Sequence, residues 1–480
     1  MSITNALSNA VSGMSAASRR AEVTGHNIAN ATTEGYARQR IDSVQHVVSG
    51  RGSGVLTNPV DRATDARLTA SRREADAQAN GQGAQATAAR NIADVYGGPG
   101  SIASRIAALE TSLRGVSEAP ESIAFQERAV SAASGVVSAF GTVSASIQSE
   151  RTEADRGIGG AVDDVNRALE QILRLNGEIG AARSGGGDPA AFEQSRDEQI
   201  DIVAGHLSVR SMPRPNGQIA LLTETGVTLV DGAVHELEFT SANLVSADMD
   251  YRAGHGPLSG LSVDGIDLTP GSATQGIGGG LIAGLFEVRD GELAAANGEV
   301  DALAADLIGR FEATGIAGAD GRGLFTDGGA ALVSPGQPGL AARLQINERV
   351  DPEQGGSTWR LRDGLDSAAP GPVAASGHAL ALLEAMTETR LSGGSLSRPA
   401  SAAGLAGDLG SLFEQRGQSL EDAAALTTAR RDTFQDAESA AIGVDLDTEL
   451  KNLILIEQAY SANAKVIEVA DRLVQRLLEI

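Results

Sequence analysis

Cysteine is absent from the 480 residues of this chain. That excludes structural disulfides, thiol chemistry and thiolate metal sites. It does not choose a compartment, but it is compatible with life outside the cell. Aromatic residues make up only 3%, with a single tryptophan, Trp359, so large aromatic anchors are scarce. Ala, Ser and Gly dominate instead, and small residues let helix axes approach closely, which suits slender helical packing. Lysine is nearly missing too, being confined to Lys451 and Lys465. The net charge is −24 and the pI about 4.7. An acidic chain of this kind repels nucleic acid and anionic membranes, so no nucleic-acid partner is expected. No run of 18 apolar residues occurs, and no membrane insertion is expected. Met1–Ala10 lacks the basic and apolar regions of a signal peptide, so a secreted destination needs a route that leaves the N-terminus uncut.

Catalytic signatures are missing as well. Neither lysine is followed by Ser or Thr, so there is no phosphate-binding G-x-x-x-x-G-K-[ST] loop. G-x-S-x-G is absent. The six histidines (26, 46, 206, 235, 255 and 378) are scattered without H-E-x-x-H spacing. Gly278–Ala283 fits G-x-G-x-x-A ahead of a helix, but what precedes it is not a buried strand, so it reads as a flexible helix entry. Asp445, Asp447 and Glu449 alternate like calcium ligands but lack the turn glycine of such loops. At the start of a helix they favour the positive end of its dipole, with Asp447 the expected N-cap. No catalytic residue, cofactor or metal site is expected.

What the chain does have is a matched pair of ends. Near the C-terminus Leu453, Ile456, Tyr460, Asn463, Ile467, Ala470, Val474 and Leu477 step by threes and fours through about four heptads. Near the N-terminus Ile3, Leu7, Ala10, Met14, Ala17, Ala21, Thr24 and Ile28 repeat the steps with smaller residues. Such a stripe must be covered by the other end, another subunit or a membrane, which favours an assembly protein. Asn463 sits on the seam, where a polar residue commonly fixes register or partner number.

Between the ends, Asn30–Tyr36 reads as a turn and Val44–Pro59 as extended. Helices are expected from Arg62 to about Gln85, around Ile102–Leu113, from Phe125 to about Arg151, and along Val162–Ile179, with short breaks between them. Residues 206–270 form a small β region, with hairpin dipeptides at Asp231-Gly232 and Asp264-Gly265. Leu281–Phe311, Ala379–Met386 and Ala402–Ala440 return to helix. Residues 312–375 are rich in Gly and Pro, with extended patches at Leu340–Ile346 and Trp359–Leu361. The expected fold is mainly α with β insertions: an elongated, nested multidomain chain with a terminal coiled coil, a helical bundle and small β regions in the middle. The expected division is an axial unit of 1–45 plus 441–480; a helical bundle of 46–205, 271–312 and 376–440; a β subdomain at 206–270; and a second β insertion or loops at 313–375, a reduced outer domain.

Asn27-Ile28-Ala29-Asn30-Ala31-Thr32-Thr33-Glu34-Gly35-Tyr36 resembles the N-terminal signature of bacterial flagellar rod, hook and hook-associated proteins. Gly443–Asp447 and Glu457–Ile467 resemble the matching C-terminal signature. The middle chooses among them: Val162–Asn166, Ile172–Ile179, Arg196–Ile200, Thr225–Gly232 and Gly280–Asp290 resemble the hook-associated protein 1 family, that of hook–filament junction proteins. Residues 313–400 match no motif. The resemblance implies a structural subunit that self-assembles into a ring, with hook protein below and a second junction protein and flagellin on the filament side. It also implies export through the flagellar type III channel. The exposed C-terminal helix is a natural target for an export chaperone. The residues expected to carry assembly are Leu7, Met14, Asn27, Ile28, Asn30, Gly35, Tyr36, Leu453, Ile456, Tyr460, Asn463, Ile467, Val474 and Leu477. Before assembly the end helices are expected to be largely disordered, and the Asn27–Tyr36 turn to set the angle to the next layer. A hook or distal rod protein is the alternative; a flagellum-borne enzyme with a site in 313–400 is a remote one.

Overall fold

The computed structural model describes residues 3–478 except 34, 49–50, 252–255, 273–274, 314–316, 334–336, 392 and 397. The chain opens with α1 (Ile3–Ala29), followed by β1 (Gln39–Arg40), the hairpin β2 (Ser43–Val48) and β3 (Arg51–Thr57), and β4 (Asp61–Arg62), which pairs back to β1. Helices α2 (Ala66–Gly97), α3 (Ile102–Glu118), α4 (Ile123–Gly185) and α5 (Ala190–His206) come next. A β region carries two antiparallel three-stranded sheets. One is β5 (Val209–Pro213), β6 (Ile219–Thr223) and β7 (Thr228–Val230); the other is β8 (Leu237–Glu238), β9 (Ser262–Val263) and β10 (Ile266–Asp267). Helix α6 (Leu281–Phe286) runs through a π-helical turn, Glu287–Glu292, into α7 (Leu293–Ala313). A compact stretch follows: β11 (Phe325–Asp327), α8 (Leu340–Arg343), β12 (Leu344–Ile346), α9 (Arg360–Asp363) and α10 (Gly377–Thr387). The long helices α11 (Ala402–Ile442) and α12 (Leu446–Leu478) close the chain.

Helix α4 is the spine. It has 63 residues, a length of about 95 Å. Ser122 caps its start by accepting from the Phe125 amide, and Gly186 ends it in the left-handed conformation at φ 72°. The expected break near residue 151 is not there. Gly157, Gly159 and Gly160 lie inside the helix, and the first two serve close approach: a β-carbon at Gly157 would touch Leu285, and one at Gly159 would strike Ser241. Part of α4 is long and apolar enough, by composition alone, to cross a membrane; here its apolar side chains, Phe140 and Ile147 among them, are buried in the bundle.

Two hydrophobic cores share that spine. The first joins the end of α2, α3, α4 up to Ala154, α7, α10 and the start of α11. The second joins α4 from Ile158 onward, α5, the β region and α6. Each fully buried Leu, Ile or Phe stabilises by about 1.5–3 kcal/mol. Alanines such as Ala75, Ala79, Ala86 and Ala93 are buried along α2, and such small side chains let neighbouring axes come close. Tyr96 donates to the Ala406 carbonyl at 2.9 Å and packs edge-on against Phe413.

The described residues between 317 and 375 join the first core through Leu324, Phe325, Leu340, Val350, Leu361 and Leu365. The Leu340–Ile346 patch is half helix and half strand, because the buried Asp301 carboxylate accepts from the Gly339 and Ala341 amides and starts a helical turn. Trp359–Leu361, expected to be extended, leads into helix α9, which buries Leu361. The Asp264-Gly265 hairpin is as expected, with φ of 50° and 77° between β9 and β10. Strand β5 escapes the alternation rule, since it ends on Pro213. The signal for it was Asn216-Gly217, which turns it into β6 with φ of 57° and 74°.

Candidate functional site

The two ends of the chain meet. Helices α1 and α12 pack side by side, running antiparallel: Gly13 faces Asn463, Asn27 meets Glu449, and Ile3 and Ala6 border a groove with Ala470 and Leu473. On α1 the buried positions are Ala10, Ala16, Ala17, Thr24 and Asn27. On α12 they are Glu449, Ile456 and Ala470, with Asn463 and Ile467 partly covered. That is the heptad stripe. Small residues on α1 receive larger ones from α12, as knobs enter holes.

Asn463 reaches across to Gly13, where a β-carbon would stand 2.8 Å from its Oδ1. Its Nδ2 donates to the Ala459 carbonyl of its own helix at 2.9 Å. The contact therefore fixes register by shape, through a glycine hole. Leu7, Leu453, Tyr460 and Val474, assigned to the seam by spacing, lie on its edges and remain exposed. Met14 and Ile28 are half-buried. The side chain of Leu477 lies outside the described residues, as does Glu34 in the turn motif.

Asn27 is the anchor of the whole end. It is buried, and both halves of its amide are used. Nδ2 donates to the Gln39 carbonyl at 2.8 Å and to Oε1 of Glu449 at 3.2 Å. Oδ1 accepts from the Gln39 amide at 2.9 Å and from the Tyr36 hydroxyl at 3.0 Å. One side chain thus ties α1, the turn, β1 and α12 together. Burial, followed by the nearby Glu449 carboxylate, pushes the Tyr36 phenol up from its ordinary value. Tyr36 is both half-buried and an anchor. Asn30 closes the end of α1 by donating to the His26 carbonyl at 3.0 Å.

Gly35 takes φ 75°, a left-handed turn that favours glycine, and its carbonyl accepts from Gln194 of α5 at 2.9 Å. Arg62 donates to Asp197 and Gln194, each at 2.8 Å. One turn further along, Arg72 and Arg73 of α2 grip Asp201 of α5, and Arg72 also holds the buried Glu438 of α11. The Arg38 amide donates to the Ile442 carbonyl at 2.8 Å. These bonds fasten the coil to the helical body.

The acidic trio does not form a calcium site. Asp445, not Asp447, is the N-cap: its Oδ1 accepts from the Thr448 amide at 2.9 Å, the third residue of the helix. That bond holds its carboxyl below the usual range. Glu449 turns inward to Asn27. No cluster of metal-binding side chains occurs among the described residues. The Gly278–Ala283 segment is no phosphate cradle either, because a β-carbon at Gly280 would strike the His206 carbonyl, so chain already fills that space. The hub of Asn27 and the Gly13–Asn463 contact escaped the sequence reading, since each depends on a partner at the far end of the chain.

The family model of the flagellar hook-associated protein FlgK helical domain matches residues 90–331, half of the chain. The chain belongs to the flagellar hook-associated protein FlgK family. The ends match two more models: the flagella basal body rod protein over residues 7–36, and the flagellar basal body rod FlgEFG protein C-terminal region over 440–480. Those two ranges are the strands of the coil and its turn. Flagellar hook-associated protein 1 of Escherichia coli (strain K12) is 25% identical over 47% of this chain and 43% of its own length. The chain thus spans less than half of that relative. The protein of the same name from Bacillus subtilis (strain 168) is 23% identical over 98% of this chain and 97% of its own. The solved flagellar hook junction protein FlgK from Burkholderia pseudomallei has a TM-score of 0.45 at 22% identity, over 55% of this chain and 47% of that one.

Proposed function

We propose that the chain is a structural subunit of the hook–filament junction of the bacterial flagellum, not an enzyme. The observation that carries this reading is the family of the helical middle, joined to rod-type ends that fold into one antiparallel coil. In this reading 1–45 and 441–480 are the axial unit, which copies of the chain bring together in a ring, and the helical body forms the shell outside it. Hook protein lies below; a second junction protein and flagellin lie on the filament side. Export through the flagellar type III channel keeps the N-terminal helix, since that helix is half of the coil. A chaperone covers the apolar flank of α12 on the way. The ends order fully only when subunits bury their remaining apolar faces. A purified monomer whose two ends resist protease as well as its body does is the result against that last point.

The test of the function is deletion of the gene. Loss of filaments with intact hooks, flagellin shed into the medium, and recovery on returning the gene are expected. Normal filaments in the deletion strain overturn the reading. Loss of the hooks themselves places the chain among hook or distal rod proteins, whose models match its ends.

A further inference from the structure

A groove of about 800 Å³ runs along α7, on the side away from Val300, Leu303 and Leu307 of the first core. Its floor is Ala294, Gly298, Ala302, Ala305 and Gly309, which recur by steps of four and three. That stretch of helix is about 22 Å long, or four turns. Its walls are two loops, one through Met249 and one through Leu391, which is 63% accessible. The floor is cut lower than the chain itself needs. Glycine inside a helix is less stable than alanine, and Gly157 and Gly159 have a reason within the chain. Gly298 and Gly309 have none, since a β-carbon at either meets no atom within 4 Å. Gly141 and Gly177 also border open space; what sets Gly298 and Gly309 apart is the groove they face. Small residues are how this molecule receives a helix elsewhere. Ala10 and Ala17 of α1 are buried against α12, and α2, which packs on α11, buries a row of alanines.

The groove is also electrically polar. At the start of α7, Asp248, Asp250 and Asp290 gather around Arg151, which gives its donors to the Arg289, Ser246 and Met249 carbonyls. At the far end stands Arg390. It pairs with Ala400, whose carbonyl also accepts from Arg310 near the end of α7. Nη1 of Arg390 is buried without a hydrogen-bond partner, and its ion pair with the exposed Glu388 is long, 4.0 Å. One end therefore suits cations, and the other holds an unused donor for an anion. Helices favour acids in their first turn and bases in their last. A helix laid antiparallel to α7 would bring its acidic start to Arg390 and its basic end to Asp248 and Asp290.

We infer that this groove receives an amphipathic helix of about four turns from a neighbouring subunit of another kind. That helix sets Leu- or Ile-sized side chains on the floor, carboxylates at its start and Lys or Arg at its end. The inference rests on the structural reading above and gives the helical body a partner surface. A second copy of this chain fits less well. Its α12 has acids in the first turn and Arg476 in the last, but Glu449 is turned inward to Asn27. Its α5 has the same charge order but is packed on α2 and α4.

The probe is a fluorescein-labelled synthetic helix of about 16 residues, with Leu at heptad positions, Glu in the first turn and Lys in the last. Its control exchanges the two charged ends. Fluorescence anisotropy with the full chain should show the first peptide binding about fivefold or more tighter than the control. Gly298→Ala/Gly309→Ala should raise the thermal midpoint, because the space is open, and yet weaken peptide binding. Gly298→Leu/Gly309→Leu should abolish the difference between the peptides, with helix content retained by far-UV circular dichroism. Arg390→Gln should narrow that difference. No binding, equal affinity for both peptides, or binding that the leucines leave unchanged overturns the inference. So does self-association of the parent chain in sedimentation that the leucines abolish, which gives the groove to a second copy. Returned to the deletion strain, the leucine variant should leave hooks without stable filaments. Normal filaments from that variant sink this contact alone; normal filaments in the deletion strain itself sink the junction role, whatever the peptides bind.

Discussion

A β-carbon at Gly13 would stand 2.8 Å from Oδ1 of Asn463, so glycine in α1 and asparagine in α12 specify each other. Glycine inside a helix costs about 0.5–1 kcal/mol relative to alanine. Here that cost is the condition for seating Asn463, whose amide is tied to Ala459. Gly13→Ala should therefore weaken the coil by about 1–3 kcal/mol through overpacking, in spite of its helix propensity. In an Asn463→Ala background the same change should stabilise it. Hydrogen exchange of α1 amides in the four chains of this cycle reads the coupling. Equal effects of Gly13→Ala in both backgrounds would refute the pairing.

Asn27→Asp should release the turn and do so more at neutral than at acid pH. The change removes the donors to Gln39 and Glu449 and sets a carboxylate against a buried one. Each unsatisfied buried group costs about 1–3 kcal/mol. The new carboxyl will have a folded pKa above its unfolded value of about 3.9. Its stability is then greatest below that value and falls as pH rises through the folded one. Protease cleavage near Tyr36, followed from pH 4.5 to 7.5, should quicken with pH in the variant relative to the parent chain. A constant ratio across that range would count against the Asn27–Glu449 contact.

The long helices were legible because their apolar steps are local: Ile102, Ile106, Leu109 and Leu113 are all fully buried where the spacing put them. The terminal stripes were legible in part: Ala10, Ala17, Ile456 and Ala470 are buried in the seam, whereas Leu7, Leu453, Tyr460 and Val474 lie exposed at its edges. Three features were not. The spine read as two helices, one ending near Arg151, because a sequence does not reveal that glycines at 157 and 159 make room for Leu285 and Ser241 inside one continuous helix. The turn at Leu340 is set by Asp301, a residue of another helix. Asn27 read as part of a motif, but its purpose depends on Glu449, 422 residues away. Local periodicity carries helices; hubs made of distant polar pairs leave no periodic trace.

Asp155 and Arg289 mark the place where one core gives way to the other. Both side chains are fully buried and 2.6 Å apart. Ala154 belongs to the first core and Ile158 to the second; Val288 and Phe286 divide the same way. The π turn that holds Arg289 rotates the apolar face between α6 and α7. Asp155 also accepts from the Ala242 amide at 2.6 Å, and Arg289 donates to the Ser259 carbonyl at 3.1 Å, so the pair pins the β region to the spine. Asp155→Ala removes one of the two carboxylates that hold the buried Arg289 guanidinium, leaving Asp290 at 2.7 Å as its remaining charge partner, and strands the Ala242 amide; it should cost about 1–3 kcal/mol. Hydrogen exchange should rise first at the Ala242 and Val245 amides. Unchanged protection there would show that the pair does not hold the β region.

His206 and His378 predict a loss of stability on mild acidification. Burial lowers the pKa of both, and the nearby Asp164 and Asp363 only partly oppose it. Nδ1 of His206 and Nε2 of His378 are buried without a hydrogen-bond partner, so a proton added there gains no acceptor. A histidine whose folded pKa lies below its unfolded value of about 6.5 is neutral in the fold. Its contribution is complete above pH 6.5 and is lost as pH falls toward the folded value. Each unit of displacement is worth about 1.4 kcal/mol. Carboxyls raised by burial, such as Asp301, act in the opposite sense, so the histidine share is read by difference. The urea midpoint of the parent chain should fall from pH 7.5 to 5.5 more than that of a His206→Gln/His378→Gln variant, which cannot titrate at those positions. Equal falls in the two chains would remove the histidines from the account and leave the carboxyls to explain any pH dependence that remains.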